Sequence, residues 1–106
     1  MLKPITEKAF TQMVLDLAAL HGWKAVHFRP AMNRRGVFST PVQGDGIGWP
    51  DIFAARGNRL VAAELKIGNN KPTVAQTAWL LALGGAGVEV FVWNFEAWDE
   101  IRRILQ

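Results

Sequence analysis

Apolar residues recur at helical spacing near the start of the chain: Phe10, Met13, Val14, Leu17 and Ala18 share one face, which predicts a helix over residues 4–20. Gly22 suits the left-handed turn that closes such a helix. Residues 24–28 read as a strand. Two apolar-rich runs follow, 52–56 and 59–67, separated by Gly57 and Asn58. Glycine and asparagine tolerate positive φ, so this pair predicts a two-residue hairpin turn. Residues 73–83 form the next helical pattern, stopped by Gly84 and Gly85. Residues 88–93 read as a buried strand, and 97–105 as a short closing helix. The predicted order is α-β-β-β-α-β with a terminal helix appended, an α/β domain spanning 1–106. Residues 29–50 are left as a long loop, and a loop of that length in a compact domain is usually functional.

A tight turn at Gly57-Asn58 fixes a register. Arg56 falls opposite Arg59, Ala54 opposite Val61, Ile52 opposite Ala63, and so Asp51 opposite Glu64. Cross-strand partners have Cβ atoms roughly 4.5–5.5 Å apart, which puts two carboxylates in one small volume. Their repulsion at about 5 Å is on the order of 3 kcal/mol in an effective dielectric near 20. A divalent cation such as Mg²⁺ removes that repulsion, because hard ions take oxygen ligands. Side chains alternate along a strand, so Lys66 stands on the same face as Glu64, about 7 Å further on. An ammonium there can stabilise charge on a phosphate, orient the attacking water or act as a base. A lone Glu-x-Lys is ordinarily a solvated strand face; the acid opposite it reverses that expectation.

The chain has 106 residues, a net charge of +3 and no cysteine. Disulfides, thiolate catalysis and thiolate zinc sites are thereby excluded. No apolar run reaches the roughly 18 residues of a membrane span, and the N-terminal residues lack a signal-peptide core, so a cytoplasmic location is expected. Residues 1–88 hold ten Lys/Arg and five Asp/Glu, whereas 89–106 hold two and four. The basic excess suits a polyanion such as DNA or RNA. Arg29, Arg34, Arg35 and Lys71 are the candidates for backbone phosphate contacts, with solvated arginines in the loop as the alternative.

Other residues admit two readings each. Glu7 shares a helix face with Val14 and Ala18, as a first-turn dipole partner or a further metal ligand. Gln76 completes a capping box with Thr73 and lies one turn before Trp79 and Leu80, hence on the inward face, from which it can approach the hairpin. His21 suits the end of the first helix, and His27 faces either the site or the core. Neither has a zinc-like partner. Asp45 is a turn residue and a weaker candidate ligand.

Taken together, Glu7, Gly48-Trp49-Pro50-Asp51, Glu64-Leu65-Lys66 and Gln76-Thr77-Ala78-Trp79 occur in the order of the VRR-NUC domain, a branch of the PD-(D/E)XK nuclease superfamily, which nearly the whole chain resembles. The resemblance implies a restriction-endonuclease-like αβββαβ core, a central mixed sheet flanked by helices. It also implies Mg²⁺ or Mn²⁺ held by Asp51, Glu64, the Leu65 carbonyl and Glu7, with Lys66 as the catalytic lysine and Gln76 organising the site. Asp51, Glu64, Lys66 and Gln76 are thus the expected catalytic set. The function expected is metal-dependent, structure-specific cleavage of branched DNA leaving a 5′-phosphate, in a bacterial or phage-infected cell, without an organic cofactor. Resolution of four-way junctions would require a homodimer, and Trp93 or Trp98 is a candidate for its interface. Flaps, single-stranded ends or RNA are alternative substrates; a non-catalytic nucleic-acid-binding module is the alternative role.

Overall fold

In the computed structural model the described residues are 4–28, 31–32, 34–36, 38–39 and 44–106. Arg29, one of the predicted phosphate contacts, lies outside them. The first helix, α1, is Glu7–Leu20. It begins three residues later than its apolar pattern suggests, because Thr6 is the N-cap and its hydroxyl accepts the Ala9 N–H at 3.0 Å. It ends at His21, and Gly22 follows at φ +80°.

Strands β1 (Lys24–Val26), β4 (Ile52–Arg56), β5 (Arg59–Lys66) and β6 (Glu89–Asn94) form one sheet in the order β1-β4-β5-β6. The first three are antiparallel neighbours, and β6 joins β5 in parallel. The sheet is therefore mixed, as expected. Helix α2 (Val74–Gly85) connects β5 to β6, a short 3₁₀ turn (Phe95–Ala97) follows, and α3 (Trp98–Leu105) closes the chain. Two further strands, β2 (Ala31–Met32) and β3 (Phe38–Ser39), pair antiparallel within the segment expected to be loop. Strands of two residues carry too little periodicity to read from sequence.

Register and alternation sort the side chains between two faces. Ile52, Ala54, Val61, Ala63, Leu65 and Trp93 form one contiguous core with Phe10, Val14 and Ala18 of α1 and Ile101 and Leu105 of α3. Trp93 is 2 % exposed within it, which removes it as an interface residue; Trp98 is partly buried against the same core. Phe53, Ala62, Glu64, Lys66, Val90 and Val92 alternate with these residues and face the other way, toward α2. The close approach of α2 explains why it continues through Gly84 and Gly85. A Cβ at Gly84 would stand 3.2 Å from Val90 Cγ2.

Two arginines counted toward the basic excess are part of the framework. The Arg56 guanidinium donates to the carbonyls of His21, Leu105 and Gln106 at 3.0, 3.2 and 3.1 Å. Arg59 forms a bidentate pair with Glu89, both contacts 2.8 Å, and donates to Ile104 O at 3.2 Å. Both guanidinium groups lie over the Trp23 ring, 4.6 and 5.0 Å from its centroid. The hairpin tip thus clasps the C-terminal ends of two helices, where their carbonyls seek donors. Among the described residues no helix is long and apolar enough to cross a membrane.

Candidate active site

The hairpin has the predicted register from the turn to Ile52: Arg56 opposite Arg59, Ala54 opposite Val61 and Ile52 opposite Ala63; the ladder ends there, so Asp51 and Glu64 are not the paired strand residues that the register predicts. Gly57 has φ +60°, the value for the first central residue of a II′ turn. Asn58 does not adopt positive φ, so glycine alone makes the bend. Beyond the last paired residues, Asp51 Oδ2 accepts the Leu65 N–H at 2.8 Å, which brings its carboxylate alongside Glu64.

Glu64 is wholly buried, and neither carboxylate oxygen has a hydrogen-bond partner among the described residues. Lys66 Nζ is 3.9 Å from Glu64 Oε2. Burial chiefly, and next the Asp51 charge and carboxyl, push the Glu64 pKa up from 4.5 to about 8; the Lys66 charge opposes them. Two carboxylates only accept hydrogen bonds, so the pair shares one only when a proton lies between them. A buried, unsatisfied carboxylate beside a second one is costly. Either a proton or a cation relieves it.

Gln76 forms the expected capping box and also reaches the hairpin. Its Oε1 accepts the Thr73 N–H at 2.9 Å while Thr73 Oγ1 accepts the Gln76 N–H at 3.2 Å, completing the capping box. The same Oε1 accepts from Lys66 Nζ at 2.9 Å. His27 also finds its place. Its Nδ1 contacts the Asp51 carbonyl oxygen at 2.8 Å, and because a carbonyl only accepts, Nδ1 carries the proton.

The glycine of Gly-Trp-Pro-Asp has a steric reason. Gly48 has φ +88°, and a Cβ there would stand 2.6 Å from the backbone carbon of Ala75. The segment leading into Asp51 therefore lies directly on α2. Trp49 packs against Phe53 and Trp79, with centroids 5.2 and 4.9 Å apart, and Trp79 Nε1 donates to Asp45 O at 2.6 Å. Position in sequence alone hid the roles of His27 and Gly48, because each acts on a distant partner.

The structure thus groups Asp51, Glu64, Leu65, Lys66 and Gln76. Glu7 is not brought to them. Its side chain is exposed in the first turn of α1, a helix that packs on the opposite sheet face. Helical spacing fixed its stripe but could not say which side of the sheet that stripe would meet. Among the described residues no three of His, Asp or Glu gather around a common point. Arg34, Arg35 and Lys71 are exposed, as is Asp45, whose role is the carbonyl contact with Trp79.

The available donors are all oxygens, and the orphaned Glu64 carboxylate with Asp51 beside it fits a hard divalent ion better than a soft one. Neither a protein-family model nor a curated protein matches the chain.

Proposed function

We propose that this chain is a metal-dependent DNA endonuclease of the VRR-NUC type, with a restriction-endonuclease-like core, that hydrolyses phosphodiester bonds in branched DNA. The observation that carries the reading is Glu64: a buried carboxylate whose two oxygens have no hydrogen-bond partner among the described residues, held beside Asp51 and 3.9 Å from a lysine. Asp51 and Glu64 would hold Mg²⁺ or Mn²⁺, joined by backbone oxygen from Leu65. Bound there, the ion supplies a Lewis acid for the phosphate and lowers the pKa of water.

The protein's own groups do the rest. The Leu65 N–H and the His27 ring fix Asp51 from its side chain and its main chain. Gln76 Oε1 holds the Lys66 ammonium, which stabilises negative charge as water attacks phosphorus and the P–O3′ bond breaks. The phosphate stays on the 5′ oxygen of the downstream fragment, and the 3′ oxygen of the upstream fragment leaves with a proton. Exposed Arg34, Arg35 and Lys71 would contact flanking phosphates. A four-way junction would be resolved by paired cuts from two copies.

The test is cleavage of a synthetic four-way junction with Mg²⁺ or Mn²⁺ by wild type, Glu64→Ala and Lys66→Ala. Loss of at least about 100-fold is expected in each variant, the scale of removing a transition-state charge partner. Equal cleavage by all three proteins would mean a contaminant, and the enzymatic reading would fall. Flap, single-stranded and RNA substrates in the same assay identify the preferred target.

A further inference from the structure

Lys24, Val26 and Phe28 have no part in the fold's core or in the proposed chemistry, yet they lead to the acid pair. Ala25 packs against the core, so Lys24 and Val26, its exposed neighbours in β1, point to the opposite face. Val26 lies across from Phe53, which places both on the face that carries Glu64 and Lys66. The ladder between β1 and β4 stops at that pair, but the 2.8 Å contact of His27 with the Asp51 carbonyl keeps the two segments side by side. Alternation carried two residues past Val26 puts Phe28 on the same face, level with Asp51.

Phe28 is 55 % and Val26 41 % exposed, and neither joins the core. Single exposed apolar residues are ordinary on a protein surface, and Leu20 and Ile47 are more exposed still. What sets Phe28 apart is its place beside the two acids. Lys24, at the start of the same row, is exposed and has no ion-pair partner among the described residues. From Lys24 to Phe28 the row runs about 13 Å along the strand. Phe53 beside Val26, and Trp49 against Phe53, continue its apolar floor toward α2. A cation, an aliphatic side chain and a phenyl ring thus line one exposed track that ends at Asp51.

We infer that this track binds an unpaired segment of a DNA strand, with one base stacked on the Phe28 ring and a phosphate of the same strand at Lys24. The inference rests on Asp51 and Glu64 being a phosphodiester centre, and it adds the subsite that receives unpaired nucleotides. A base offers its face to a side chain only where it is unstacked; within a duplex both faces are covered by neighbouring bases. A phenyl ring has no hydrogen-bonding group, so it accepts any base. The track therefore selects strand structure and not sequence. Charge favours the same occupant, because the ammonium groups of Lys24 and Lys66 share this face and match a polyanion. A protein strand added to the free edge of β1 is disfavoured: the strand has three residues and carries a lysine, both of which discourage such pairing.

The test uses the whole chain in EDTA at low salt and pH 7, where no cleavage intervenes. Three labelled probes are compared by fluorescence anisotropy: a short DNA single strand, the same backbone with abasic residues throughout, and a fully paired hairpin. Phe28→Ala should weaken binding of the single strand about tenfold and leave the abasic and paired probes unchanged, whereas Phe28→Trp should bind the single strand at least as well as wild type. A 2-aminopurine in the single strand should be quenched on binding wild type and Phe28→Trp but not Phe28→Ala. Lys24→Gln should flatten the salt dependence of single-strand binding by about 0.7 in the logarithmic slope. The inference is overturned by a wild type that does not bind the single strand, by a Phe28→Ala variant that binds it unchanged, by equal losses on all three probes, by a Phe28→Trp variant that behaves like Phe28→Ala, or by an unaltered salt slope in Lys24→Gln. Junction cleavage with Mg²⁺ is a separate readout. Stacking without cleavage would remove the nuclease reading and keep the track as a binding site; cleavage without a Phe28 effect would remove the track alone.

Discussion

Glu64 carries an energetic signature as well as a chemical one. Its pKa rises to about 8 in the folded chain from 4.5, so the folded state binds the proton more tightly than the unfolded state. The sign follows: stability of the metal-free protein is highest below pH 4.5 as far as this group is concerned, and is lost as pH rises through 8, by on the order of 4 kcal/mol. Melting in EDTA at pH 5 and pH 8 should show the lower midpoint at pH 8. Glu64→Gln should shrink that difference and melt higher than wild type at pH 8, since it removes the buried charge. Mg²⁺ at pH 8 should stabilise wild type but not Glu64→Gln. An unchanged midpoint across the pH range in wild type would refute the coupling between this side chain and folding.

At the scale of elements, the start of α2 connects two functions through one oxygen. Gln76 Oε1 serves the capping box and Lys66 together, whereas Thr73 Oγ1 serves the cap alone. Thr73→Ala should therefore cost about 1 kcal/mol of stability, measured by urea denaturation, and leave cleavage by folded protein nearly unchanged. Gln76→Ala should cost a similar amount and in addition lower kcat about tenfold, with Gln76→Glu restoring the cap and altering the pH profile. The capping box was legible from Thr73-Val74-Ala75-Gln76, and the hairpin register from Gly57-Asn58, because both depend on residues a few positions apart. Glu7 was not, because its helix meets the sheet through contacts that no local spacing encodes. Helix α2 runs past the stop predicted at Gly84 for the same reason: a glycine that usually ends a helix is here the residue that lets it lie on Val90.

For the whole molecule, the arginines at the hairpin tip are the clearest case of a charge that composition alone misassigns. Arg56 and Arg59 add to the basic excess, yet they bind main-chain carbonyls of α3 and of the residue that caps α1, and they cover Trp23. Arg56→Met should keep the stem over the indole and lose three charged hydrogen bonds, costing about 2–3 kcal/mol in thermal or urea unfolding. DNA affinity and its salt dependence should stay close to wild type in that variant, whereas Arg34→Ala should weaken binding and flatten the salt slope. Equal loss of DNA binding in both would return Arg56 to the interface.

The double duty of Gln76 has a consequence for heat. Helix tips fray at temperatures where sheets are still intact, and fraying of the first turn of α2 would free the lysine from its tether. Cleavage should then decline on warming before ellipticity does, so that the temperature optimum of the reaction is set by one loosened turn rather than by collapse of the protein.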